Sequence, residues 1–151
     1  MGEPVLILLV EDNPAHAEMI QRGLNNHRIA NRIHHVVDGE AALDYLFHRG
    51  QYAERAEAPE PHVILLDLRL PKVDGLEVLK QVKTSDRTRR IPVVILTTSD
   101  AEKDIAAAYD CRANAYLTKP VDFEVFMQLM RDLGFFWLCW NVITKPPTDE
   151  P

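Results

Sequence analysis

The chain has 151 residues, 46% hydrophobic and 26% charged, with a formal net charge of −6. That length suits one domain with its own core, the composition is globular, and the acidic balance disfavours non-specific nucleic-acid binding, which needs a basic face against phosphates. No apolar run approaches the roughly 18 residues of a membrane span, and the first strand begins within a few residues of Met1, so neither a signal peptide nor a membrane anchor is expected. Cys111 and Cys139 form no CxxC and read as reduced thiols of a cytoplasmic protein.

Along the chain, short apolar runs alternate with segments of helical period. Val5 to Val10 is continuously apolar, as in a strand buried on both faces. Asn13 reads as an N-cap and Pro14 as the first helical residue, with Ala17, Ile20 and Leu24 on one face. Arg32 to Val37 is a more polar strand, suited to a sheet edge, and Asp38 caps a helix that buries Ala42, Leu43, Leu46 and Phe47. Arg49 to Pro61, with Gly50, Pro59 and Pro61, reads as a long loop. Val63 to Leu66 is the third strand. Asp74 and Glu77 suggest a capping box for a helix with Leu76, Leu79 and Val82 inward. Pro92 to Leu96 is the fourth strand, and Ser99 with Glu102 suggests a second capping box ahead of Ile105, Ala108 and Tyr109. Ala115 to Leu117 is a short fifth strand. Asp122 starts the last helix, with Phe123, Phe126, Met127, Met130 and Leu133.

Five such units imply an α/β fold: a five-stranded parallel sheet flanked by five helices. In sheets of this kind, sites form beyond the carboxyl ends of the strands. Glu11 and Asp12 follow the first strand, Asp67 the third, Thr97 the fourth, and Lys119 the fifth. A carboxylate at the end of a buried strand is costly unless something uses it. Asp12 and Asp67 are candidate ligands of Mg²⁺, with Glu11 acting through water. An aspartate can also attack phosphorus to give an acyl phosphate. The Lys119 ammonium and the metal would offset the repulsion among three acids, and Thr97 can donate to a phosphoryl oxygen. Taken singly, each residue has a plainer reading: Asp12 as an N-cap, Thr97 as a strand-end hydroxyl, Tyr116 as core, Lys119 as a surface charge. The histidines, His16 and the His34–His35 pair among them, show no ligand pattern and read as surface or core residues.

Taken together, Glu11-Asp12, Asp67 within DLRLPKVDG, Thr97 in LTTSD and Lys119-Pro120 resemble a response-regulator receiver domain of two-component signalling. The resemblance covers nearly the whole chain. The long loop before the third strand and the aromatic run Phe135-Phe136-Trp137-Leu138 resemble more narrowly the small single-domain regulators that partner phytochrome histidine kinases. The resemblance implies a flavodoxin-like strand order of 2-1-3-4-5 and a phosphoryl group accepted on Asp67 from a kinase phosphohistidine. It implies Mg²⁺ held by Asp12, Asp67 and the backbone carbonyl of Arg69, with Glu11 assisting through the metal's waters. Lys119 would pair with the phosphoryl oxygens, Thr97 would move toward them, and Tyr116 would turn inward behind it. The Lys119–Pro120 bond would be cis. Arg69 and Thr98 are bulkier than the residues common at their positions and bear on phosphoryl lifetime and access.

Residues 1–144 are expected to form the receiver with its aromatic extension, and 145–151 a flexible tail with no room for an effector domain. Phe135, Phe136, Trp137, Leu138 and Trp140 exceed what one helix face can bury, which points to a homodimer through the fourth helix, fifth strand and fifth helix. Such a protein is a phosphoacceptor rather than an enzyme with turnover. The rivals are a receiver-like interaction module that is not phosphorylated, a haloacid-dehalogenase-like phosphatase, which wants an Asp where Arg69 stands, and a flavin-binding protein, which wants a glycine-rich phosphate loop where Glu11-Asp12-Asn13-Pro14 stands.

Overall fold

In the computed structural model, which describes residues 5–25, 31–54 and 58–134, β-strands and helices alternate from end to end. The order is β1 (Val5–Val10), α1 (Pro14–Asn25), β2 (Asn31–Val36), α2 (Gly39–Phe47), β3 (Val63–Leu66), α3 (Gly75–Thr84), β4 (Val93–Thr97), α4 (Glu102–Asp110), β5 (Ala115–Thr118) and α5 (Phe123–Gly134). The strands form one parallel sheet in the order β2-β1-β3-β4-β5. The three central strands are buried almost throughout, because helices cover both faces, and the more polar β2 takes an edge. One face packs Ile7, Leu9, Leu65 and Val94 against Ala17, Ile20 and Leu24 of α1 and Phe126 and Met130 of α5. The other packs Leu8, Val10, Ile64 and Ile95 against α2, α3 and Ala108 of α4.

The helix starts follow local chemistry in two cases and depart from it in two. The Asn13 side chain accepts from the N–H groups of Ala15 and His16 at 3.0 and 3.1 Å, and that of Asp38 accepts from Ala41 at 2.7 Å. Neither expected capping box forms. Asp74 stands at the N-cap of α3 without a side-chain cap bond, and α4 is capped by Ala101. Ser99 instead donates its hydroxyl to Asp104 in the first turn of α4, five residues on. Phe123 and Tyr109, expected at helical spacing with core residues, are 55% and 50% exposed, and Phe47 is only half-buried. The loop after α2 carries a 3₁₀ turn, Gly50–Tyr52, and Tyr45 of α2 is buried with its hydroxyl donating to the Pro59 carbonyl at 2.8 Å. All described peptide bonds are trans, including the Lys119–Pro120 bond expected to be cis. Trans is the favoured state even before proline, and here the lysine reaches its acid partners from it.

Candidate functional site

Parallel register sets the site. Val10 pairs with Leu66 and Leu66 with Ile95, so β1 and β3 end level, while β4 and β5 run two residues further and end together at Thr97 and Thr118. The residues just past those ends, Glu11, Asp67 and Lys119, therefore meet, with Thr97 closing β4 beside them. Asp67 donates its backbone N–H to the Val10 carbonyl (3.1 Å), and Lys119 donates to that of Thr97 (2.6 Å), which ties the loops to the strands they leave. Gly75 opens α3 directly against this turn: a Cβ there would stand 2.1 Å from the Asp67 carbonyl oxygen and 2.6 Å from Leu68 Cα. Only glycine admits so close an approach of helix to acceptor loop.

The Lys119 ammonium is the centre of the arrangement. It is 5% exposed and donates to Asp67 Oδ2 at 2.8 Å and to Glu11 Oε1 in a shorter contact. Its remaining proton goes to His16 Nδ1 at 3.1 Å. The other oxygens are engaged as well: Asp67 Oδ1 accepts from Arg69 N (3.1 Å) and Glu11 Oε2 from Asn13 N (3.1 Å). His35 on β2 holds the Glu11 backbone carbonyl through Nε2 at 2.7 Å. Burial pushes the Glu11 carboxyl above its ordinary range, with Lys119 pulling it back down. Thr97 is fully buried, and its Oγ1 has no protein hydrogen-bond partner among the described residues.

These residues fit a divalent cation. Glu11, Asp12 and Asp67 each place a carboxylate oxygen within 4.8 Å of the others, and Asp12 is exposed while the other two are buried. With all three carboxylates ionised, the one ammonium leaves the cluster two negative charges in excess. Oxygen donors of this kind suit Mg²⁺ or Mn²⁺.

Of the residues singled out in the sequence, Glu11, Asp12, Asp67 and Lys119 lie together, and β4 ends on Thr97 beside them. His16 and His35, expected from the sequence as surface or core residues, also reach this cluster. The signal for His16 was its place in the first turn of the helix that follows the Glu11-Asp12 pair. Arg69 reaches away from the acids: its Nη2 bonds Asp104 Oδ2 of α4 at 2.8 Å, and Asp104 also accepts from Ser99. That Ser99 hydroxyl bond, then the Arg69 and Lys103 charges, holds the Asp104 carboxyl below its ordinary range. Tyr116 of β5 is half-buried and donates to the Ser99 carbonyl at 2.8 Å, so acceptor loop, α4 and Tyr116 are joined in one chain of contacts. Phe135, Phe136, Trp137, Leu138 and Trp140, expected at a dimer interface, lie outside the described residues, as do residue 144 and the expected tail at 145–151. Among the described residues no helix is long and apolar enough to cross a membrane.

The family model for the response regulator receiver domain matches residues 7–131. "Probable methanogenesis regulatory protein FilR2" of Methanothrix harundinacea is 48% identical over 139 residues, 92% of this chain and 87% of that protein. Response regulator Rcp1 of Synechocystis sp. is 41% identical over 95% of this chain and 94% of its own length, and its Mn²⁺-bound crystal structure superposes with a TM-score of 0.89 over 94% of this chain and all of that one. The phosphorylated cyanobacterial phytochrome response regulator RcpA, 40% identical, superposes equally well, with a TM-score of 0.89 over 95% of this chain and all of that one. With the parallel 2-1-3-4-5 sheet and the acid cluster at its carboxyl edge, these similarities establish that the chain belongs to the response regulator receiver domain family and is similar to the regulators of phytochrome signalling.

Proposed function

We propose that Asp67 accepts a phosphoryl group from the phosphohistidine of a sensor histidine kinase, in a reaction that needs Mg²⁺. The observation that carries this reading is the convergence of Lys119 on Asp67 and Glu11 beside a buried, unpartnered Thr97 hydroxyl. Asp12, Asp67 and the Arg69 carbonyl would hold the metal, with Glu11 acting through water. Bound there, the cation would supply charge neutralisation for acceptor and phosphoryl oxygens alike.

The chain's own groups do the rest. An Asp67 carboxylate oxygen forms the new O–P bond as the N–P bond of the donor breaks, and the electron pair returns to the donor's imidazole nitrogen. Lys119 releases Asp67 Oδ2 and donates to a phosphoryl oxygen, keeping Glu11 as its anchor. Thr97 moves its hydroxyl onto a second phosphoryl oxygen, gaining the partner it lacks at rest. Tyr116 turns further inward behind it, which alters the α4–β5–α5 face. Arg69, bonded to Asp104, guards the approach of water and bears on how long the phosphoryl group persists.

The kinase is proposed to be phytochrome-type and the site of action cytoplasmic, supported by the similarity to Rcp1 and RcpA. A kinase that is not a photoreceptor is the second reading, favoured by the higher identity to FilR2. A homodimer through α4, β5 and α5 is supported by the exposure of Tyr109, Val121, Phe123 and Val125 (50%, 105%, 55% and 54%), an apolar set on that side of the chain. The proposed domain runs through residue 144, with 145–151 as a tail and output through protein partners rather than nucleic acid. A non-phosphorylated interaction module is the poorer reading, since none of the reacting groups is missing.

The test is intact mass after incubation with acetyl phosphate, with and without Mg²⁺, for wild type and Asp67→Asn. One phosphoryl group gained by the wild type alone, and only with Mg²⁺, is expected. A gain that survives in Asp67→Asn overturns the acceptor. Failure with both acetyl phosphate and a phosphorylated histidine kinase overturns the reaction. Sedimentation as a monomer at micromolar concentration, phosphorylated or not, overturns the dimer.

A further inference from the structure

We propose that His16 is a positioning residue for phosphoryl transfer: its Nδ1 accepts the third ammonium proton of Lys119 and keeps the cation over the acceptor when Asp67 lets go of it. The inference rests on the reading of Asp67 as acceptor. A buried ammonium has three N–H donors and no acceptor, and each must find a partner. Here the three partners are Asp67 Oδ2, Glu11 Oε1 and His16 Nδ1. When Asp67 takes up a phosphoryl group, its bond to Lys119 is the one exchanged for a phosphoryl oxygen. Glu11 and His16 then remain as two fixed anchors, one from the β1–α1 turn and one from the first turn of α1. With a single anchor the ammonium could swing about Glu11 and lose its aim.

Since a lysine ammonium only donates, the contact assigns His16 a bare Nδ1 and a proton on Nε2. The ring is half-buried and held against Phe126 of α5, with centroids 5.8 Å apart, so its orientation is set by packing. The charged groups that face it are Lys119 after β5, Asp67 after β3 and Asp12 after β1. Burial, then the lysine, lowers its tendency to protonate, against the opposing pull of the two acids.

The experiment compares wild type, His16→Phe and His16→Asn in the rate of phosphoryl gain from acetyl phosphate at saturating Mg²⁺. Phenylalanine keeps the ring and its contact with Phe126 but has no acceptor. Asparagine places an acceptor oxygen two bonds from Cβ, where Nδ1 stands. A drop of about tenfold for His16→Phe, equivalent to ~1.4 kcal/mol in the barrier, with recovery in His16→Asn and an unchanged Mg²⁺ midpoint, supports the proposal. Equal rates in all three, or equal losses in both variants, overturn it. Independently of any transfer, long-range imidazole ¹⁵N–¹H spectra of the unphosphorylated protein should show the Nε2–H tautomer at His16. An Nδ1–H tautomer overturns the proposal. A wild type that gains no phosphoryl group from any donor fails the acceptor reading instead, which the spectra tell apart.

Discussion

Replacing Thr97 by valine should make the resting protein more stable while it cripples the chemistry. The Thr97 side chain is fully buried at the end of β4, and its hydroxyl has no protein partner among the described residues. A buried hydroxyl without a hydrogen bond costs roughly 1–3 kcal/mol by protein mutational data. Valine has nearly the same shape and suits a strand at least as well. Thr97→Val should therefore gain about 1 kcal/mol, the low end of that range. For a chain of this size that is roughly 2–4 °C in Tm. Urea unfolding without Mg²⁺ or phosphodonor, analysed with a common m-value, measures it. In the same samples, phosphoryl gain from acetyl phosphate should fall about 10²-fold, the loss of one preorganised donor to the transition state. Thr97→Ser should do the opposite: keep the chemistry and lose about 0.8 kcal/mol with the buried methyl group. A Thr97→Val protein destabilised by about 1 kcal/mol or more would mean that the hydroxyl is already satisfied at rest, and the reasoning fails.

Gly75→Ala should lower stability by roughly 1–3 kcal/mol, as overpacking does, and slow phosphorylation as well, since relief of the 2.1 Å contact must move the Asp67 turn or α3; melting and intact-mass kinetics on one preparation check both. Lys119→Met should destabilise by roughly 3–5 kcal/mol near neutral pH, because Glu11, 1% exposed, loses its buried counter-charge; protonation of Glu11 should restore much of this as the pH is lowered, which urea unfolding across pH reads out. Burial lowers the Lys83 ammonium to about 8, and its partners among the described residues are the Arg89 and Ile91 carbonyls. The unfolded lysine keeps its proton to higher pH, so between about pH 8 and 10.5 the unfolded state binds more protons and stability rises with pH. Relative to Lys83→Met, the wild type should gain up to ~3 kcal/mol across that window, and a flat difference refutes the assignment. Arg69→Ala should change stability by under about 1 kcal/mol, since its bond to Asp104 is made by a largely exposed guanidinium; a larger loss in thermal melts would mean the link to α4 holds the fold together.

Local chemistry sufficed for much of this protein. Continuous apolar runs as short as Val5–Val10 and Val63–Leu66 suit strands covered on both faces, and Asn13 and Asp38 cap the helices that follow because their side chains reach backbone donors two or three residues on. Acids and a lysine just past such strands then point to one edge of a parallel sheet, so the cluster of Glu11, Asp12, Asp67, Thr97 and Lys119 was legible before any coordinates. The tertiary structure decided what depends on distant partners. Ser99 and Asp74 carry the letters of capping boxes, yet α4 starts from Ala101 with Ser99 bonded to Asp104, and Asp74 makes no cap bond. Phe123 has helical spacing but faces outward, since its neighbours Phe126 and Met130 already fill the groove against α1. His16 and His35 look like any other histidines in the sequence. Only the fold, with α1 starting beside the strand ends and β2 paired alongside β1, brings one imidazole to the Lys119 ammonium and the other to the Glu11 carbonyl. A histidine's role is set by which donor or acceptor the fold places within 3 Å or so of its nitrogens, and that distance is written in no local pattern of residues.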